Sequence, residues 1–410
     1  MKKIVIIGGG ISGFTAAINA KTNNNEVIIL EGQDKPLKKL LITGNGKCNY
    51  FNEEFIFSKY HSFNEELLKN IISLENKNKI LTFFKSIGII SRIKENYYYP
   101  YSNQAISVKN SFLKEIENKN IKLKLNSYVK DIKKENDKFL VYYNDDVLVC
   151  DELIISTGGK SYPKTGSDGS GYNLSKKLGH TINKTLPALV GLKCKEPFLK
   201  KLNGVRSNAT VSLFVNDKLI KSEIGEVQFT NYGLSGICIF NLSSIASRSI
   251  SENKKVKISI NFLDKLKIKN KKSFQEFILS SEYNFKKEKV SYFLDNLLNY
   301  KLTNVILEKT KIEGNKLVSK LSDNEINMLF KNLFSFTMNI IDTNNFESAQ
   351  ITSGGVSLYE INPLTFESKI VSNLYLTGEV LDIDGDCGGY NISFAVLSGI
   401  LAGESVKKND

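Results

Sequence analysis

The sequence contains, directly after an apolar stretch at residues 3–7, the run Gly8-Gly9-Gly10-Ile11-Ser12-Gly13. This run fits the pattern G-x-G-x-x-G, and the small and apolar residues at 11–21 have the spacing of a helix. A second apolar stretch at 26–30 ends at Glu31. The pattern is specific for dinucleotides when it follows a strand, opens a helix and precedes an acid at the end of the next strand. The sequence therefore predicts a Rossmann-like α/β domain.

Each residue type in the glycine run has a physical task in such a site. Gly8 permits the tight turn, Gly10 lets the backbone approach a pyrophosphate, and Gly13 lets the helix lie close to the strand. The helix start, Ile11-Ser12, presents unpaired N–H groups and the positive end of the helix dipole to the phosphates. We expect Glu31 to accept hydrogen bonds from the ribose hydroxyls of the adenosine.

A second glycine-rich segment, near the other end of the chain, favours FAD over NAD. A strand-like stretch at 374–377 is followed by Gly378-Glu379, by Asp382 and Asp384, and by Gly388-Gly389-Tyr390-Asn391. In flavoproteins such a strand-loop-helix supplies an acid for the ribitol and a helix N-terminus for the N1/C2 edge of the flavin. The positive helix end stabilises the reduced, anionic ring. We predict FAD as the cofactor, with Asp382 or Asp384 as the ribitol acid.

The length of 410 residues predicts two or three domains. Both ends of the chain, 1–190 and 340–410, are expected to form one discontinuous FAD-binding domain. Short alternating segments at 191–265 predict an inserted antiparallel β-barrel. Charged, helix-periodic residues at 266–339 predict a helical subdomain.

Several motifs besides the first glycine run occur in a fixed order along the chain. They include Lys39 with Gly44-Asn45-Gly46-Lys47-Cys48-Asn49, then Thr157-Gly158-Gly159, Phe229-Thr230-Asn231-Tyr232-Gly233, and Thr352-Ser353-Gly354-Gly355 before Gly378-Glu379. In these motifs the chain resembles the BaiN-like bacterial flavoproteins, a family of NAD(P)/FAD-dependent oxidoreductases that includes aminoacetone-oxidase-like proteins and ribosomal RNA dihydrouridine synthases. The resemblance covers nearly the whole chain.

The resemblance implies that residues of these motifs contact FAD and that the backbone at Val129 meets the adenine. The cofactor contacts it implies are Lys39, Gly44, Gly46, Lys47, Cys48, Asn49, Thr157, Gly158 and Gly159. The sequence departs from the family pattern at several positions. Asn45, Lys47 and Asn231 stand where the family commonly has Gly, Arg and His, and Asp386-Cys387 replaces a Pro-Thr pair. Lys47 keeps the charge of Arg but lacks its planar bidentate donor.

The resemblance also implies three kinds of reaction, namely reduction of steroid-like small molecules, amine oxidation, and formation of dihydrouridine in large-subunit ribosomal RNA. Our first hypothesis is reduction of a uridine of that RNA with NADPH or NADH. No second G-x-G-x-x-G exists, so the reduced nicotinamide is expected to visit the flavin transiently. The alternatives are a reductase or amine oxidase acting on a small molecule, and a non-catalytic flavin-bearing assembly factor.

Reduction of the uracil C5–C6 double bond requires a proton donor beside the hydride donor. Cys48 is the first candidate, because its loop is glycine-rich and basic and because neighbouring charge can bring a thiol pKa near neutrality. Cys387 is the rival donor. The alternative for Cys48 is a small buried residue that packs near the cofactor.

RNA binding would require basic side chains interleaved with aromatic ones, since bases stack and phosphates pair with cations. Such a group is formed by Arg92, Tyr97, Tyr98, Tyr99 and Tyr101. The tyrosines could equally pack the flavin pocket. The net charge of +13 would attract a polyanion, although abundant lysine throughout the chain explains it as well.

Composition argues against several other classes of protein. Five scattered cysteines without C-x-x-C spacing and only two histidines predict neither disulfides, nor a metal site, nor a Ser-His-Asp triad. No apolar run reaches about 18 residues, so no membrane span is predicted. The first apolar stretch is too short for a signal peptide, and a cytoplasmic location is expected. The sequence leaves open the oligomeric state and the target nucleotide.

Overall fold

The computed structural model describes residues 1–280 and 282–408, and the chain divides into two units. The first unit consists of Met1–Pro187 together with the segment that begins at Phe346. The second unit is the intervening segment, Ala188–Asn345.

A five-stranded parallel sheet forms the centre of the first unit. In spatial order its strands are Leu374–Leu376, Glu152–Ile155, Lys2–Ile7, Asn25–Leu30 and Lys122–Lys124. The three middle strands are rich in isoleucine, leucine and valine, and most of their side chains are buried, as expected for a parallel sheet covered on both faces. All neighbouring pairs are parallel, so the carboxyl ends of the strands share one edge. The predicted Rossmann-like α/β fold is confirmed.

The first helix, Ile11–Ala20, packs against the last helix, Tyr390–Lys408, without intervening side chains at two positions. A Cβ atom added at Gly399 would lie 2.6 Å from the backbone oxygen of Ser12, and one added at Gly403 would lie 2.6 Å from that of Ala16. Only glycine permits this approach. The two ends of the chain therefore meet backbone to backbone.

Smaller elements surround this sheet. The other helices of the unit are Lys38–Ile42, Glu65–Ile71, Leu74–Ser86, Ala105–Asn118 and Ser170–Lys177. Two antiparallel three-stranded sheets comprise Asp146–Cys150, Lys138–Tyr143 and Val129–Glu135, and Phe51–Asn52, Tyr97–Pro100 and Ser91–Lys94. Two further strand pairs join Tyr60–His61 to Asp384–Gly385, and Ile182–Ala188 to Ile351–Val356.

The second unit contains a closed six-stranded antiparallel barrel, which confirms that part of the predicted fold. Around the barrel the strands are Leu192–Cys194, Gly233–Ser235, Lys218–Phe229, Arg206–Val215, Val256–Asn261 and Phe336–Thr343. Its helices are Leu199–Leu202, Ile237–Ser251, Lys271–Leu279, Val290–Asp295, Tyr300–Thr310 and Asp323–Phe334.

The last barrel strand differs from the expected boundaries, because it follows the helices instead of lying within 191–265. Phe336–Thr343 pairs with Val256–Asn261 on one side and with Leu192–Cys194 on the other. Without it the barrel would have two open edges, which proteins avoid.

None of the helices among residues 1–280 and 282–408 combines the length and apolar character needed to cross a bilayer.

Candidate cofactor and active site

Four of the predicted site residues follow the carboxyl ends of neighbouring parallel strands. Gly8 follows the strand Lys2–Ile7, and Glu31 follows its neighbour Asn25–Leu30. Thr157 and Gly378 come just after Glu152–Ile155 and Leu374–Leu376, the next two strands on the other side of Lys2–Ile7. In open α/β sheets ligands bind at this edge. The segments touch there, because a Cβ atom at Gly8 would lie 2.5 Å from the Ser156 backbone oxygen and one at Gly378 would lie 2.6 Å from Ser12 Oγ.

The glycine run has the geometry that a bound diphosphate requires. Gly8 has φ +107°, and a Cβ atom at Gly13 would lie 2.1 Å from the backbone oxygen of Gly8, so both positions exclude larger residues. At Gly10, by contrast, a larger residue would find space, since a Cβ atom there would meet no protein atom within 4 Å. The backbone at Gly10 therefore faces open space beside the start of the first helix. This arrangement fits a dinucleotide phosphate.

The Glu31 carboxylate contacts the backbone of the glycine run. Its carboxylate accepts hydrogen bonds from the N–H of Gly9 at 2.8 Å and from the N–H of Gln33 at 2.7 Å. Burial raises the pKa of Glu31. The chain next to Val129 passes the same point, because the Ser127 N–H donates to the Glu31 backbone oxygen at 2.8 Å. The structure thus places the predicted ribose and adenine contacts side by side.

An ion pair connects the motif at 39–49 to the motif at 378–379. Lys39 Nζ lies 2.6 Å from one carboxylate oxygen of Glu379, and the other oxygen accepts the Thr352 N–H at 2.9 Å. A Cβ atom at Gly159 would lie 2.6 Å from Glu379 Oε1, so the Thr157-Gly158-Gly159 segment adjoins the same carboxylate. Residues from four separated motifs meet here.

The loop between Lys39 and Asn49 has an unusual backbone. Gly44, Asn45 and Gly46 have positive φ, and the stretch from Gly44 to Lys47 is exposed. The side-chain amide of Asn49 lies 3.2 Å from the backbone oxygen of Tyr98 and 3.0 Å from that of Phe51. Asn49 thus fixes the exposed loop to the sheet that contains the tyrosines.

The start of the last helix is shaped by a tight glycine turn. We call residues Asp386-Cys387-Gly388-Gly389 the terminal turn. A Cβ atom at Gly389 would lie 2.7 Å from the Phe51 backbone nitrogen, and the Asn52 side-chain amide donates to the Gly388 backbone oxygen at 3.2 Å. The amide group of Asn391 makes two hydrogen bonds with the backbone of Gly385, at 2.8 and 2.9 Å. The predicted contacts Gly388, Gly389, Tyr390 and Asn391 therefore lie together at a helix N-terminus.

The expectation that Asp382 or Asp384 meets the ribitol is contradicted by their burial. Asp382 is 0% exposed, and its Oδ2 accepts hydrogen bonds from the Phe63 N–H and from the Asn183 side-chain amide, both at 2.9 Å. Asp384 is also fully enclosed. Both carboxylates are enclosed by protein atoms, and Asp382 fixes the loop to Phe63 and Asn183. Glu379, whose side chain is 18% exposed, is the acid of this segment that a ligand can reach.

The expectation for Cys48 as a general acid is also wrong. Its side chain is fully buried, and burial raises the pKa of the thiol to about 12. A general acid needs a pKa near the working pH and contact with the substrate. Cys48 has neither, because burial disfavours the charged thiolate and encloses the side chain. The rival Cys387 is partly exposed in the terminal turn.

Strands Ser91–Lys94 and Tyr97–Pro100 form what we call the tyrosine hairpin. Tyr98 is buried, and its hydroxyl donates to Glu53 Oε2 at 2.5 Å, so the expectation that it stacks on a base is wrong. Tyr97 packs on the terminal turn, where a Cβ atom at Gly388 would lie 2.9 Å from its ring. The outer members of the predicted group are the half-buried Tyr99 and the exposed Tyr101 and Arg92.

Sequence reasoning did not find the pair formed by His61 and Asp386. His61 Nε2 lies 3.0 Å from Asp386 Oδ1, next to the terminal turn. The sequence held one signal for this pair. Asp386 stands where the family commonly has proline, and an acidic side chain in a buried turn needs a hydrogen-bonding or charged partner. A separation of 325 positions along the chain concealed which residue is that partner. Among the described residues, no group of three His, Cys, Asp or Glu side chains is arranged to hold a metal.

The parallel sheet, the glycine run and the converging chain ends define an FAD-binding oxidoreductase fold. The family described as "HI0933-like protein Rossmann domain" matches residues 2–405, and the chain belongs to this family. The resemblance to the BaiN-like flavoproteins is confirmed.

Two curated relatives are similar over almost their whole length. The chain is 36% identical over 408 residues to the 3-dehydro-bile acid delta(4,6)-reductase of Clostridium scindens, covering 99% of each chain. It is 26% identical over 412 residues to the ribosomal RNA dihydrouridine synthase of Haemophilus influenzae, covering 98% of each. Among solved structures, the open conformation of a flavocytochrome c3 fumarate reductase matches with a TM-score of 0.51 and 13% identity, over 99% of this chain and 78% of that one. This last likeness shows the fold alone.

Proposed function

We propose that this FAD-dependent oxidoreductase reduces a carbon–carbon double bond conjugated with a carbonyl group, and that its acceptor is a uridine of large-subunit ribosomal RNA. Two relatives are named for reductions of carbon–carbon double bonds, one in a 3-dehydro-bile acid and one in a uridine. In uracil the C5–C6 bond is conjugated with the C4 carbonyl. Conjugation makes hydride addition feasible, because the carbonyl oxygen accepts the displaced electron pair.

The tyrosine hairpin is the observation that favours RNA. Tyr97 packs on Gly388 at the start of the last helix, while Arg92, Tyr99 and Tyr101 on the same hairpin reach solvent. Aromatic faces stack on unpaired bases, and a guanidinium pairs with phosphates. A base taken out of its stack could then lie between the hairpin and the cofactor site.

The cofactor site fits FAD at several points. The open side of Gly10 admits the diphosphate, and the partly exposed Glu379 and its partner Lys39 are within reach of the ribitol and phosphate groups. When bound, FAD supplies the hydride for one carbon of the acceptor. The protein must orient the acceptor, exclude water and deliver a proton to the other carbon. We propose NADPH or NADH as the reductant of the flavin. It binds transiently, because the sequence has no second G-x-G-x-x-G pattern for a nicotinamide site.

A second candidate acceptor is a small molecule with the same conjugated group. The 36% identity to the bile-acid reductase favours it. The exposed apolar side chains of Ile90 and Ile93, on either side of Arg92, are the surface that a steroid-like ring would cover.

Mass spectrometry of ribosomal RNA nucleosides tests the RNA proposal. Cells that lack the gene should lose dihydrouridine from the large-subunit RNA, and the gene should restore it when reintroduced. Unchanged dihydrouridine would remove this acceptor. Purified enzyme with NADPH or NADH should in parallel be offered a 3-oxo-Δ4 steroid, whose reduction without any change in the RNA would establish the second candidate.

The hairpin can be tested separately by RNA binding at several salt concentrations. Replacing one phosphate-contacting cation lowers the slope of log K against log salt by about 0.7 to 0.9. We expect this change for Arg92→Ala and no change for Lys114→Ala, which removes an exposed charge from the helix Ala105–Asn118. Equal slopes for the two variants would exclude the hairpin from the RNA site.

A further inference from the structure

The strand that carries His61 is fixed to the start of the last helix. Tyr60–His61 pairs antiparallel with Asp384–Gly385, with His61 opposite Asp384. The Tyr60 ring packs edge-on against the Tyr390 ring at 5.7 Å, and its hydroxyl donates to the Tyr390 backbone oxygen at 3.1 Å. His61 is thereby held beside the helix end where the flavin edge is expected.

Asp386 fixes one nitrogen of the imidazole. Its Oδ1 lies 3.0 Å from His61 Nε2, its Oδ2 lies 3.8 Å from Lys59 Nζ, and its backbone N–H donates to the Lys59 oxygen at 2.9 Å. The Asp386 carboxylate is 2% exposed, and the His61 side chain is 13% exposed. Because the carboxylate accepts from the Nε2–H group in both protonation states of the ring, the ring keeps one orientation.

The other ring nitrogen is available to a ligand. Within the described ranges, 1–280 and 282–408, the hydrogen bond of the His61 ring is the one from Nε2, and Nδ1 has no protein partner. Three charged groups surround this pair: Asp386 contacts the ring, Lys59 lies near the other oxygen of Asp386, and Asp384 is opposite His61 on the paired strand. A histidine with one nitrogen bonded to a buried carboxylate and the other without a protein partner has the arrangement of an acid or base in catalysis.

We propose that His61 is the proton donor of the reduction and that Asp386 is its positioning residue. This inference rests on the proposed function. Bound FAD would supply a hydride to the carbon β to the carbonyl, and the electron pair of the double bond would then move towards the carbonyl oxygen. The Nδ1–H bond of the imidazolium then breaks, and its proton forms the C–H bond at the α carbon. Neutral imidazole remains, with Nε2–H donating to Asp386, and water returns the proton.

The test separates the two half-reactions of the FAD-loaded enzyme. In His61→Gln, reoxidation of the reduced flavin by the acceptor should slow by about 100-fold or more, the usual share of a general acid. Flavin content and flavin reduction by NADPH should stay unchanged, because both precede the proton transfer. His180→Gln is the matched control, since it makes the same change at the other histidine, whose ring bonds Glu360 and Ser368 away from the terminal turn, and it should keep the wild-type reoxidation rate.

A nitrogen-15 spectrum gives a readout that does not depend on turnover. The chain has only two histidines, so both rings can be assigned in flavin-free protein. His61 should be the Nε2–H tautomer in the wild type and lose that preference in Asp386→Asn, while the His180 signals stay in place.

The outcomes are distinguishable. If the wild type reduces neither uridine nor the steroid, the proposed function fails and this inference fails with it. A His61→Gln rate within threefold of the wild type overturns the inference alone. An unchanged His61 tautomer in Asp386→Asn overturns the role of Asp386.

Discussion

Replacing Gly10 by alanine should separate cofactor affinity from protein stability. Gly10 has φ −82° and ψ 179°, which alanine adopts without strain, and a Cβ atom there meets no protein atom within 4 Å. Loss of chain entropy in the unfolded state favours alanine by about 0.4–1 kcal/mol. Gly10 is also the N-cap of the first helix, where alanine costs on the order of 0.5–1 kcal/mol relative to glycine. The two effects offset each other, so the flavin-free variant should be as stable as the wild type within about 1 kcal/mol.

The same methyl group should weaken FAD binding, because it occupies the space through which the diphosphate approaches the backbone. Overpacking of this kind costs about 1–3 kcal/mol, which corresponds to a roughly 5- to 150-fold larger Kd. The measurements are thermal or urea unfolding of flavin-free protein and titration with FAD followed by flavin fluorescence.

Gly13→Ala is the matched control for this prediction. Its Cβ atom would lie 2.1 Å from the Gly8 backbone oxygen and 2.5 Å from Ser156 Oγ, so it should destabilise the flavin-free protein itself. The reasoning is refuted if Gly10→Ala binds FAD as tightly as the wild type, or if it loses as much stability as Gly13→Ala.

Three further predictions concern stability and binding. The His180 ring is buried between Glu360 and Ser368, 3.0 Å from each, and burial lowers its pKa, so the neutral ring stabilises the fold at pH values above the ordinary histidine pKa of 6.5. This contribution should be lost as the pH falls below 6.5, and urea unfolding between pH 7 and pH 5 should show a weaker pH dependence in His180→Gln. Tyr101→Ala, at a side chain 70% exposed, should weaken RNA binding without changing the melting temperature. By contrast, Tyr98→Phe should lower the unfolding free energy by about 1 kcal/mol, because it removes the hydrogen bond that the buried Tyr98 hydroxyl donates to Glu53. The opposite result, with Tyr101→Ala destabilising and Tyr98→Phe weakening RNA binding, would contradict the assignment of Tyr98 to the core and of Tyr101 to the RNA surface. Ser322→Ala should cost about 1 kcal/mol of unfolding free energy, because Ser322 and Glu325 form the capping box of the helix Asp323–Phe334, whereas Ser251→Ala, outside any N-cap, should cost less.

The parts of the fold that depend on local pattern could be predicted from the sequence. The strand at Lys2–Ile7, the glycine run and the helix at Ile11–Ala20 lie within a residue or two of their expected positions. These elements could be predicted because buried strands, glycine turns and helix starts are determined by residues that are adjacent in the sequence. The expected boundaries, 266–339 for the helical subdomain and 340–410 for the FAD-binding domain, did not identify the barrel strand Phe336–Thr343, because its partners lie about 80 and 150 residues earlier in the chain.

The chemistry of individual side chains was harder to predict, because it depends on burial and on distant partners. The sequence places Cys48 in a glycine-rich, basic loop, yet its side chain is fully buried. Asp382 reads as a polar loop residue, but it binds Phe63 and Asn183, both distant in sequence. Neither residue type nor spacing carries that information, because a carboxylate in a loop can serve a ligand or the loop itself.

The central claim is that the two chain ends hold one FAD, with the diphosphate at the glycine run and the ring at the last helix. Calorimetric titration of the flavin-free protein with FAD and, separately, with FMN tests it most directly. We expect one FAD per chain and much weaker binding of FMN, which lacks the adenosine half that Glu31 and the glycine run would hold. Equal affinities for FAD and FMN, or no binding of either, would contradict the account.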